Sequence, residues 1–535
     1  MAPAYALALS LLVTGPLLGP GYLLLRDAVS TPRSYLSDAA LGLTEAAPRA
    51  LPQDFLLAAV SPVVDGGVVV KVLLVAGLWL AGWGAARLVA VVLPDTGMAG
   101  QCVAVTLAIW NPYVAERLLQ GHWSLLVGYG CLPWVAAAVF RANWPALVFW
   151  IAVAGLTPTG LLLAAIVALV CVRGWRPAGL VIAASAAAAL PWLTASVLAE
   201  SLSGTASGGV PAFAARAEPG LGTLGSLAGL AGIWNGQAVP GSRTSLFALF
   251  ATVGLLAVVA VGLPAVLRVR EARPLLVLAL VAVLLPALLA TGPGLALLET
   301  VIRTVPGLGV LRDGQKWVAL ALPGYVLAAA GVARHGRAVA VVCGAALIAV
   351  LPDLAWGVGG QLRAVHYPPG WTAVAAMINA DPRPVAVLPV DSMRQFAWAG
   401  PAPVLDPLPR WVSADVWSSG DLLIGGKTVP GEGTRGREVT AMLLDGASRD
   451  RLADAGVGWV VAESGSPTMD LPVAYRDDEL TLYRIGGSAP GATGRGVLIA
   501  AHLVWLGTLV GAGVLALSRR PRPGWFDPTR GVPSH

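Results

Sequence analysis

The sequence predicts a polytopic α-helical membrane protein, with about 12 spans and a small α/β domain between the last two of them. Of the 535 residues, 56% are hydrophobic and only 12% are charged, about half the charged fraction of a typical soluble domain. Apolar runs close to the ~18–20 residues that cross a bilayer recur along the chain, and Arg, Pro or Gly clusters end them. We therefore expect lipid to surround most of the chain.

About twelve segments are apolar enough to be predicted as spans. They lie near residues 5–25, 67–86, 97–112, 123–140, 144–157, 159–173, 178–198, 244–267, 275–291, 316–333, 337–357 and 495–517. The first is predicted to be a retained span and not a signal peptide, because it lacks a basic start and a small-residue cleavage site. The predicted organisation is a membrane domain at 1–357, a polar domain at 358–494, and a last span with a basic tail at 495–535.

Arginines in the short connections predict the orientation. With a cytoplasmic N-terminus, every inner connection is basic, through Arg87, Arg141, Arg173, Arg176, Arg268, Arg270, Arg273, Arg334, Arg337, Arg519, Arg520 and Arg522. The positive-inside rule then predicts a multi-pass plasma-membrane protein with both termini cytoplasmic. The long connections, including 358–494, face the exoplasm, and any chemistry is expected there.

Residues 358–494 gain Asp, Pro and polar side chains and have the pattern of a small exoplasmic α/β domain. The predicted elements are strands at Val385–Val390, Trp459–Ala462 and Leu480–Arg484, helices at Trp371–Ala380 and Arg449–Ala455, and a hairpin over Val473–Arg484 that turns at Asp477-Asp478.

The stretch Tyr35–Asp54 in the first outer loop has an amphipathic pattern. Its apolar helical face is formed by Leu36, Ala39, Ala40 and Leu43. Its polar face is formed by Ser37, Asp38 and Glu45. We expect it to lie flat on the outer leaflet; the alternative is an ordinary loop.

Arg26-Asp27 is the first candidate site, because an ionisable pair at the outer end of a span needs water or a partner. The Asp27 carboxylate could act as a base that takes the proton of an attacking hydroxyl in a sugar transfer. The alternative is an arginine that reaches to the interface beside an aspartate that ends the helix.

The second candidate is the polar and aromatic break Asn111–Trp123 between two spans. Arg117 and His122 could bind a phosphate, and Glu116 could orient either of them. The alternative is an interfacial aromatic belt with one internal ion pair.

The third candidate is Leu311–Trp317, where Arg312, Asp313 and Lys316 concentrate charge at the start of an apolar span. Arg312 and Lys316 could hold a lipid-linked phosphate, the arginine as a two-pronged donor and the lysine as a point charge. The alternative is a charged helix start with Asp313 near the positive end of the dipole.

Aromatic residues in the polar domain are candidates for acceptor or glycan contact, because aromatic faces stack on sugar faces. They are Trp398, Trp411 and Trp417, which stand among acidic and basic residues. Burial in a small core explains them equally well.

Several functional classes have no signature in the sequence. There is no Walker loop, G-x-S-x-G elbow, H-E-x-x-H or zinc-type Cys/His spacing. The net charge is +6, yet no Lys/Arg-rich run predicts a nucleic-acid partner. No cofactor and no metal site are predicted; a carboxylate-bound divalent ion near Asp27 is the alternative, which no motif supports.

With these residues in view, the chain resembles the GT-C superfamily of polyprenyl-phosphate-dependent glycosyltransferases, and within it the actinobacterial arabinofuranosyltransferase D group. The similarity rests on Arg26-Asp27, the amphipathic first outer loop, Asn111–Trp123 and Leu311–Trp317. The last block is similar to a family R-x-P-x-K-[FW] pattern, in which Gly314-Gln315 here replaces the proline-containing core. His366–Trp371 followed by Val387-Leu388-Pro389 resembles the start of the outer domain in such proteins.

The resemblance implies an inverting transfer of a sugar from a polyprenyl-phosphate donor to a cell-envelope glycan acceptor on the outer face of the plasma membrane. It assigns the catalytic base to Asp27, with Asp38 as the reserve acid. Two alternatives stay open: a non-catalytic binder, flippase or scaffold for lipid-linked glycans, and a transporter. Transport favours ionisable residues near the bilayer midplane, and the spans contain few, with Lys71 the main exception.

Overall fold

The computed structural model describes residues 1–45, 48–198, 209–305, 307–389, 391–424 and 426–518. Within these ranges the chain is mostly helical, and six helices are long and apolar enough to cross a membrane. They are Gly66–Val92, Trp123–Phe140, Trp175–Leu198, Phe247–Leu267, Gly314–His335 and Arg495–Ser518. Two bent pairs raise the number to eight if each pair is one span. The tail arginines Arg519, Arg520 and Arg522, which were used to predict the orientation, lie outside the described residues.

The described helices and strands, labelled in chain order, have the following bounds. The helices are α1 (Ala2–Thr14), α2 (Asp38–Leu41), α3 (Gln53–Val60), α4 (Gly66–Val92), α5 (Gly97–Ile109), α6 (Pro112–Gln120), α7 (Trp123–Phe140), α8 (Trp144–Ala154), α9 (Pro158–Cys171), α10 (Trp175–Leu198), α11 (Gly222–Ala228), α12 (Phe247–Leu267), α13 (Arg273–Leu289), α14 (Gly292–Thr304), α15 (Leu322–Ala330), α16 (Arg337–Ala349), α17 (Ala355–Gly360), α18 (Pro369–Ala380), α19 (Leu408–Trp411), α20 (Thr434–Leu444), α21 (Arg449–Asp454) and α22 (Arg495–Ser518). The strands are β1 (Tyr22–Leu25), β2 (Ala28–Val29), β3 (Ala364–Val365), β4 (Val385–Leu388), β5 (Met393–Arg394), β6 (Val404–Leu405), β7 (Val416–Trp417), β8 (Leu422–Ile424), β9 (Lys427–Val429), β10 (Trp459–Glu463), β11 (Val473–Arg476) and β12 (Leu480–Arg484). The stretch Gly314–Ala321 before α15 is a 3-10 helix.

The first predicted span is wrong in its second half. Its helix continues only to Leu17, and the last four residues of the predicted span form strand β1. Pro20 and Gly21 follow the helix, and the φ of 109° at Gly21 is accessible mainly to glycine. Each of the other predicted spans overlaps a helix, but α13 with α14 bends by 93° and α16 with the segment after it bends by 70°.

The centre of the membrane domain is a close packing of α4 against α7. Gly130 of α7 lies so near α4 that an added Cβ would stand 2.3 Å from the carbonyl oxygen of Gly77. Small residues let helix backbones approach in this way where no hydrophobic effect drives them together. The packing holds the start of α7, and with it His122, in a fixed position.

The polar domain contains a five-stranded mixed sheet in the order β11-β12-β10-β4-β7. Strand β10 pairs in parallel with β4 and antiparallel with β12, and β11 with β12 forms the predicted hairpin. The predicted strands and helices are confirmed within one or two residues at each end, except that Val390 lies outside the described residues. The α/β interpretation of this region is therefore correct.

The loop that follows α1 enters the polar domain. Strand β1 pairs with β2 on one side and with β3, at the start of the polar domain, on the other. Leu24 and Val29 of this hairpin pack in the same core as Trp371 and Trp411. The hairpin that carries Asp27 is thus anchored in the polar domain as well as in the membrane domain.

The predicted amphipathic stretch does not form one long helix lying on the surface. Its described part is helical at α2, whose Ser37 cap accepts a hydrogen bond from the Ala40 amide, and again from Gln53, where α3 begins. Ser37 and Asp38 are buried, although both belong to the predicted polar face. Asp38 forms an ion pair with Arg495 at the start of the last span. This pair offsets the free-energy cost of burying the Asp38 charge.

Candidate functional site

Asp27 lies at the tip of a tight hairpin. In the β1–β2 pair Leu25 faces Ala28, so that Arg26 and Asp27 form the turn. Arg26 has a φ of 50°, which is uncommon for any residue except glycine. Two backbone hydrogen bonds hold it: its amide donates to the Pro403 carbonyl and its carbonyl accepts from the Leu405 amide, both at 2.9 Å.

The Arg26 side chain fixes the hairpin to the end of helix α6. Its guanidinium donates to the carbonyls of Leu119 and Gln237, both at 2.5 Å. The Leu119 carbonyl belongs to the last turn of α6, where the helix dipole favours a cation. The Asp27 amide also donates to the Gln120 carbonyl, at 3.1 Å. Asp27 is therefore held relative to α6 by both its own backbone and its neighbour's side chain.

The two oxygens of the Asp27 carboxylate have different surroundings. Oδ2 accepts hydrogen bonds from His122 Nε2 at 2.9 Å and Gln120 Nε2 at 3.1 Å. Oδ1 has no hydrogen-bond partner among the described residues, and 35% of the side chain is exposed. The site therefore presents one carboxylate oxygen to an incoming group and holds the other.

The contact between Arg117 and His122 defines the tautomer of the imidazole. Arg117 Nη1 lies 3.0 Å from His122 Nδ1, and an arginine nitrogen can only donate. Nδ1 must then accept, which places the ring proton on Nε2, the nitrogen that faces Asp27. His122 is thus a neutral donor to Asp27, and its protonation would break the contact with Arg117.

The charges around the site act on both groups. Burial lowers the pKa of His122; the hydrogen bond and charge of Asp27 act to raise it, but burial with the charges of Lys316 and Arg117 outweighs them. Burial alone would raise the pKa of Asp27, but the hydrogen bonds from His122 and Gln120 and the charge of Lys316 bring it below its ordinary value. Asp27 is consequently ionised at neutral pH.

Arg117 is fully buried and supports the site from behind. Its guanidinium donates to both carboxylate oxygens of Asp313, at 2.9 and 3.1 Å, and to the Gln315 side-chain oxygen. Burial alone would raise the pKa of Asp313, but the charges of Arg117 and Lys316 hold it well below its usual range. Arg117 has no exposed area, and its side-chain hydrogen bonds are to Asp313, Gln315 and His122. That it binds the donor phosphate stays a prediction, which this burial does not favour.

A second branch of the network holds the loop around residue 233 onto α6. Glu116 accepts hydrogen bonds from the amides of Gly232 and Ile233, both at 3.1 Å, and from the Gln315 amide group at 2.9 Å. Gln120, which donates to Asp27, accepts from Asn235 at 2.8 Å. The β1–β2 hairpin, α6, the start of α7, the loop at 232–235 and the segment 313–315 thus meet in one hydrogen-bonded network.

Lys316 is the cation nearest the exposed side of this group. Its Nζ lies 3.7 Å from Asp313 Oδ2, and 25% of its side chain is exposed. The Lys316 carbonyl accepts from the Tyr113 hydroxyl at 3.2 Å, which fixes the backbone. An ammonium with one long contact has donors left for an anion.

Arg312 lies four residues earlier and is only partly exposed. Its guanidinium carbon stands 4.2 Å from the centroid of the Phe213 ring. Burial, with a contribution from the charge of Arg49, lowers its pKa to about 10. It remains charged at neutral pH and carries donors for a phosphate.

Asp38 and the tryptophans lie apart from this group. Asp38 faces Arg495 and the Ala492 amide, and no described contact joins it to Asp27. Trp411 is 5% exposed, and Trp398 stacks on Phe396 with 4.9 Å between ring centroids. These two tryptophans therefore contribute to the domain core.

Trp417 is half-buried, and Arg435 lies 4.0 Å above its ring, so this face is covered as well. Contact of the three tryptophans with an acceptor or glycan stays a prediction.

One contributor, Gln120, was not singled out by the sequence. It shares a face of α6 with Arg117, since the two are three residues apart, and this spacing was a usable signal. Arg26 was predicted as part of an ionisable pair with Asp27, but its contacts to Leu119 and Gln237 come from distant segments and had no signal in the sequence. Across the described ranges no group of three or more His, Cys, Asp or Glu side chains is placed to hold a metal ion.

No protein-family model matches this chain, and no curated protein or solved structure matches it either.

Proposed function

We propose that this protein is a GT-C-like glycosyltransferase, which moves a sugar from a polyprenyl-phosphate donor to a cell-envelope glycan on the outer face of the plasma membrane. The observation that carries the proposal is the Asp27 carboxylate, with one oxygen held by His122 and Gln120 and the other open. It lies beside Lys316, at the ends of helices that are apolar enough to cross a membrane. A base and a phosphate-binding cation at one membrane interface are what such a transfer requires.

The proposed reaction is a single inverting displacement. Asp27 Oδ1 accepts the proton of the acceptor hydroxyl as its oxygen forms a bond to the anomeric carbon. The bond between that carbon and the donor phosphate breaks, and polyprenyl phosphate leaves. Because the pKa of Asp27 is low, proton transfer occurs late, once the attacking oxygen has become acidic.

Lys316 and Arg312 are proposed to bind the donor phosphate. Their charges offset the negative charge that develops on the leaving phosphate, an electrostatic contribution that is strongest where water is excluded. Lys316 is also near enough for its charge to lower the pKa of Asp27. A phosphate at Lys316 therefore brings the anomeric carbon toward the open oxygen of Asp27.

We expect Lys316→Ala to weaken donor binding by roughly 10- to 100-fold, since a hydrogen bond to a charged group contributes about 1.5–3 kcal/mol. Lys316→Arg keeps the charge and should retain most of the affinity. The measurement is binding of a polyprenyl-phosphate sugar to the purified full chain. The control is Arg303→Ala, an exposed cation on α14, and unchanged affinity in Lys316→Ala would contradict the assignment.

The proposed topology has twelve spans, both termini in the cytoplasm, and residues 358–494 in the exoplasm. The arginine distribution supports this orientation. The pairing of β1 with β3 supports one part of it, since the Asp27 hairpin and the polar domain must share one side of the membrane.

An alkaline phosphatase fused at Gly446, in an exposed turn of the polar domain, should be active because that enzyme folds only outside the cytoplasm. The same fusion at Ala142, after α7, should be inactive. The reverse pattern would overturn the orientation and with it the exoplasmic reaction.

A further inference from the structure

A groove outside the Asp27 site lies between α1 and α4. It has a volume of about 680 Å³, and most of its wall is apolar, with Leu7, Leu11, Val72 and Trp79 along its length. Val72 is 60% exposed, and Leu7 and Leu11 are 40% and 39% exposed. In a membrane, side chains exposed along such a groove contact hydrocarbon chains.

One end of the groove contains a lysine. Lys71 belongs to α4, a helix long enough to span a bilayer. Only 9% of this residue is exposed. Its Nζ donates to the Gly19 carbonyl at 2.6 Å, and no second acceptor for it exists within the described residues. An ammonium has three N–H donors, and a charge inside a span needs partners.

An exposed carboxylate follows the lysine toward water. Asp65 caps α4: its Oδ1 accepts from the amides of Gly67 and Val68, and its Oδ2 accepts from the Tyr22 hydroxyl at 2.9 Å. Lys71 follows Asp65 by six positions, which corresponds to a rise of about 9 Å along the helix. Along the groove the order is therefore apolar wall, cation, anion and water.

We propose that this groove binds a zwitterionic phospholipid with a primary amine in its head group. Such a lipid presents acyl chains, then a phosphate, then an ammonium, which is the complementary order. The phosphate would accept hydrogen bonds from Lys71, and the ammonium would donate to Asp65, both charge-assisted. An anionic phospholipid would satisfy Lys71 but would leave Asp65 without a cation.

The site is distinct from the proposed donor site and does not depend on it. Tyr22 and Asp27 are separated by five residues of extended hairpin, on the order of 15 Å. A phosphate bound at Lys71 would leave its attached group out of contact with Asp27. The lipid is therefore inferred to be a resident membrane lipid and not the sugar donor.

Photo-crosslinking measures the preference directly. The full chain, with p-benzoylphenylalanine in place of Val72, is placed in vesicles that contain equal amounts of phosphatidylethanolamine and phosphatidylglycerol. After illumination, mass spectrometry compares the two lipid adducts. We expect the phosphatidylethanolamine adduct to exceed the other by about tenfold or more, because only this lipid adds a charge-assisted contact to Asp65.

Two variants separate the two contacts. Lys71→Gln should lower both adducts, because both lipids carry the phosphate that Lys71 binds. Asp65→Asn should remove the preference for phosphatidylethanolamine, because the ammonium loses its anion while the asparagine still caps α4. Arg87→Gln, at the other end of the same helix, should change nothing. Equal adducts in the native chain would mean ordinary surrounding lipid and would overturn the proposal. So would displacement of phosphatidylethanolamine by a small fraction of polyprenyl phosphate, since that result would make the groove a donor site.

Discussion

We expect replacement of Asp27 by Asn to lower the rate of the proposed glycosyl transfer by about 10²–10⁴-fold, the range of a general-base contribution. The variant should still fold and insert, because the amide oxygen can take the position of Oδ2 and accept from His122 and Gln120. The amide nitrogen then occupies the open position, where it cannot take up a proton. The measurement is transfer from a polyprenyl-phosphate sugar to a glycan acceptor in membranes.

Donor binding distinguishes loss of chemistry from loss of structure. We expect the Asp27→Asn variant to bind the donor as the native chain does, because Lys316 and Arg312 are unchanged. Asp478→Asn is the matched control, since this exposed carboxylate lies at the turn between β11 and β12, away from the site. Full transfer activity in Asp27→Asn would remove Asp27 from the mechanism. Absence of transfer by the native chain with every donor would favour a non-catalytic binder, flippase or scaffold.

Local features of the fold were predictable from the sequence because they depend on local composition. Long apolar runs such as Gly66–Val92 give helices wherever the backbone must satisfy its own hydrogen bonds in lipid. The strands at Val385–Leu388 and Trp459–Glu463 follow from β-branched runs. The number of spans is harder to obtain, because α5, α8 and α9 are each shorter than a bilayer requires and gain their burial from neighbours.

Long-range pairing is what the sequence alone could not supply. The last residues of the predicted first span are as apolar as a helix, yet Tyr22–Leu25 pairs with a strand that follows the whole membrane domain. Apolarity does not distinguish a buried strand from a buried helix over so few residues. For the same reason the anchoring of Arg26 by the Pro403 and Leu405 backbone had no signal in its neighbours.

The candidate site was only partly predictable. Charged residues at span ends marked Asp27, His122 and Lys316, since ionisable groups there need partners. Their division of roles depends on burial, which spacing does not reveal: Arg117 and Lys316 are both cations in polar breaks, but the first is fully buried and the second is not. Trp411 likewise matches a sugar-contact pattern in sequence and a core position in the structure.

Replacement of Arg117 by Met should destabilise the fold by about 3–5 kcal/mol, the usual cost when one partner of a buried ion pair is removed. Asp313 would keep a buried charge without its two arginine donors. The measurement is the thermal unfolding midpoint of the purified full chain, and an unchanged midpoint would contradict the buried-pair interpretation. The double variant Arg117→Met with Asp313→Asn should recover part of the loss, because the uncompensated charge is gone.

The same replacement tests the link from Arg117 to Asp27. Without a donor at Nδ1, His122 is free to place its proton on either nitrogen, and its hydrogen bond to Asp27 is no longer enforced.

Arg117→Lys is the sharper variant, since it keeps a charge beside Asp313 but loses the planar two-pronged geometry. We expect Arg117→Lys to lower transfer with little loss of stability, and nitrogen-15 spectra of His122 to show a mixture of tautomers. A single Nε2-protonated form in that variant would mean that Arg117 does not set the tautomer.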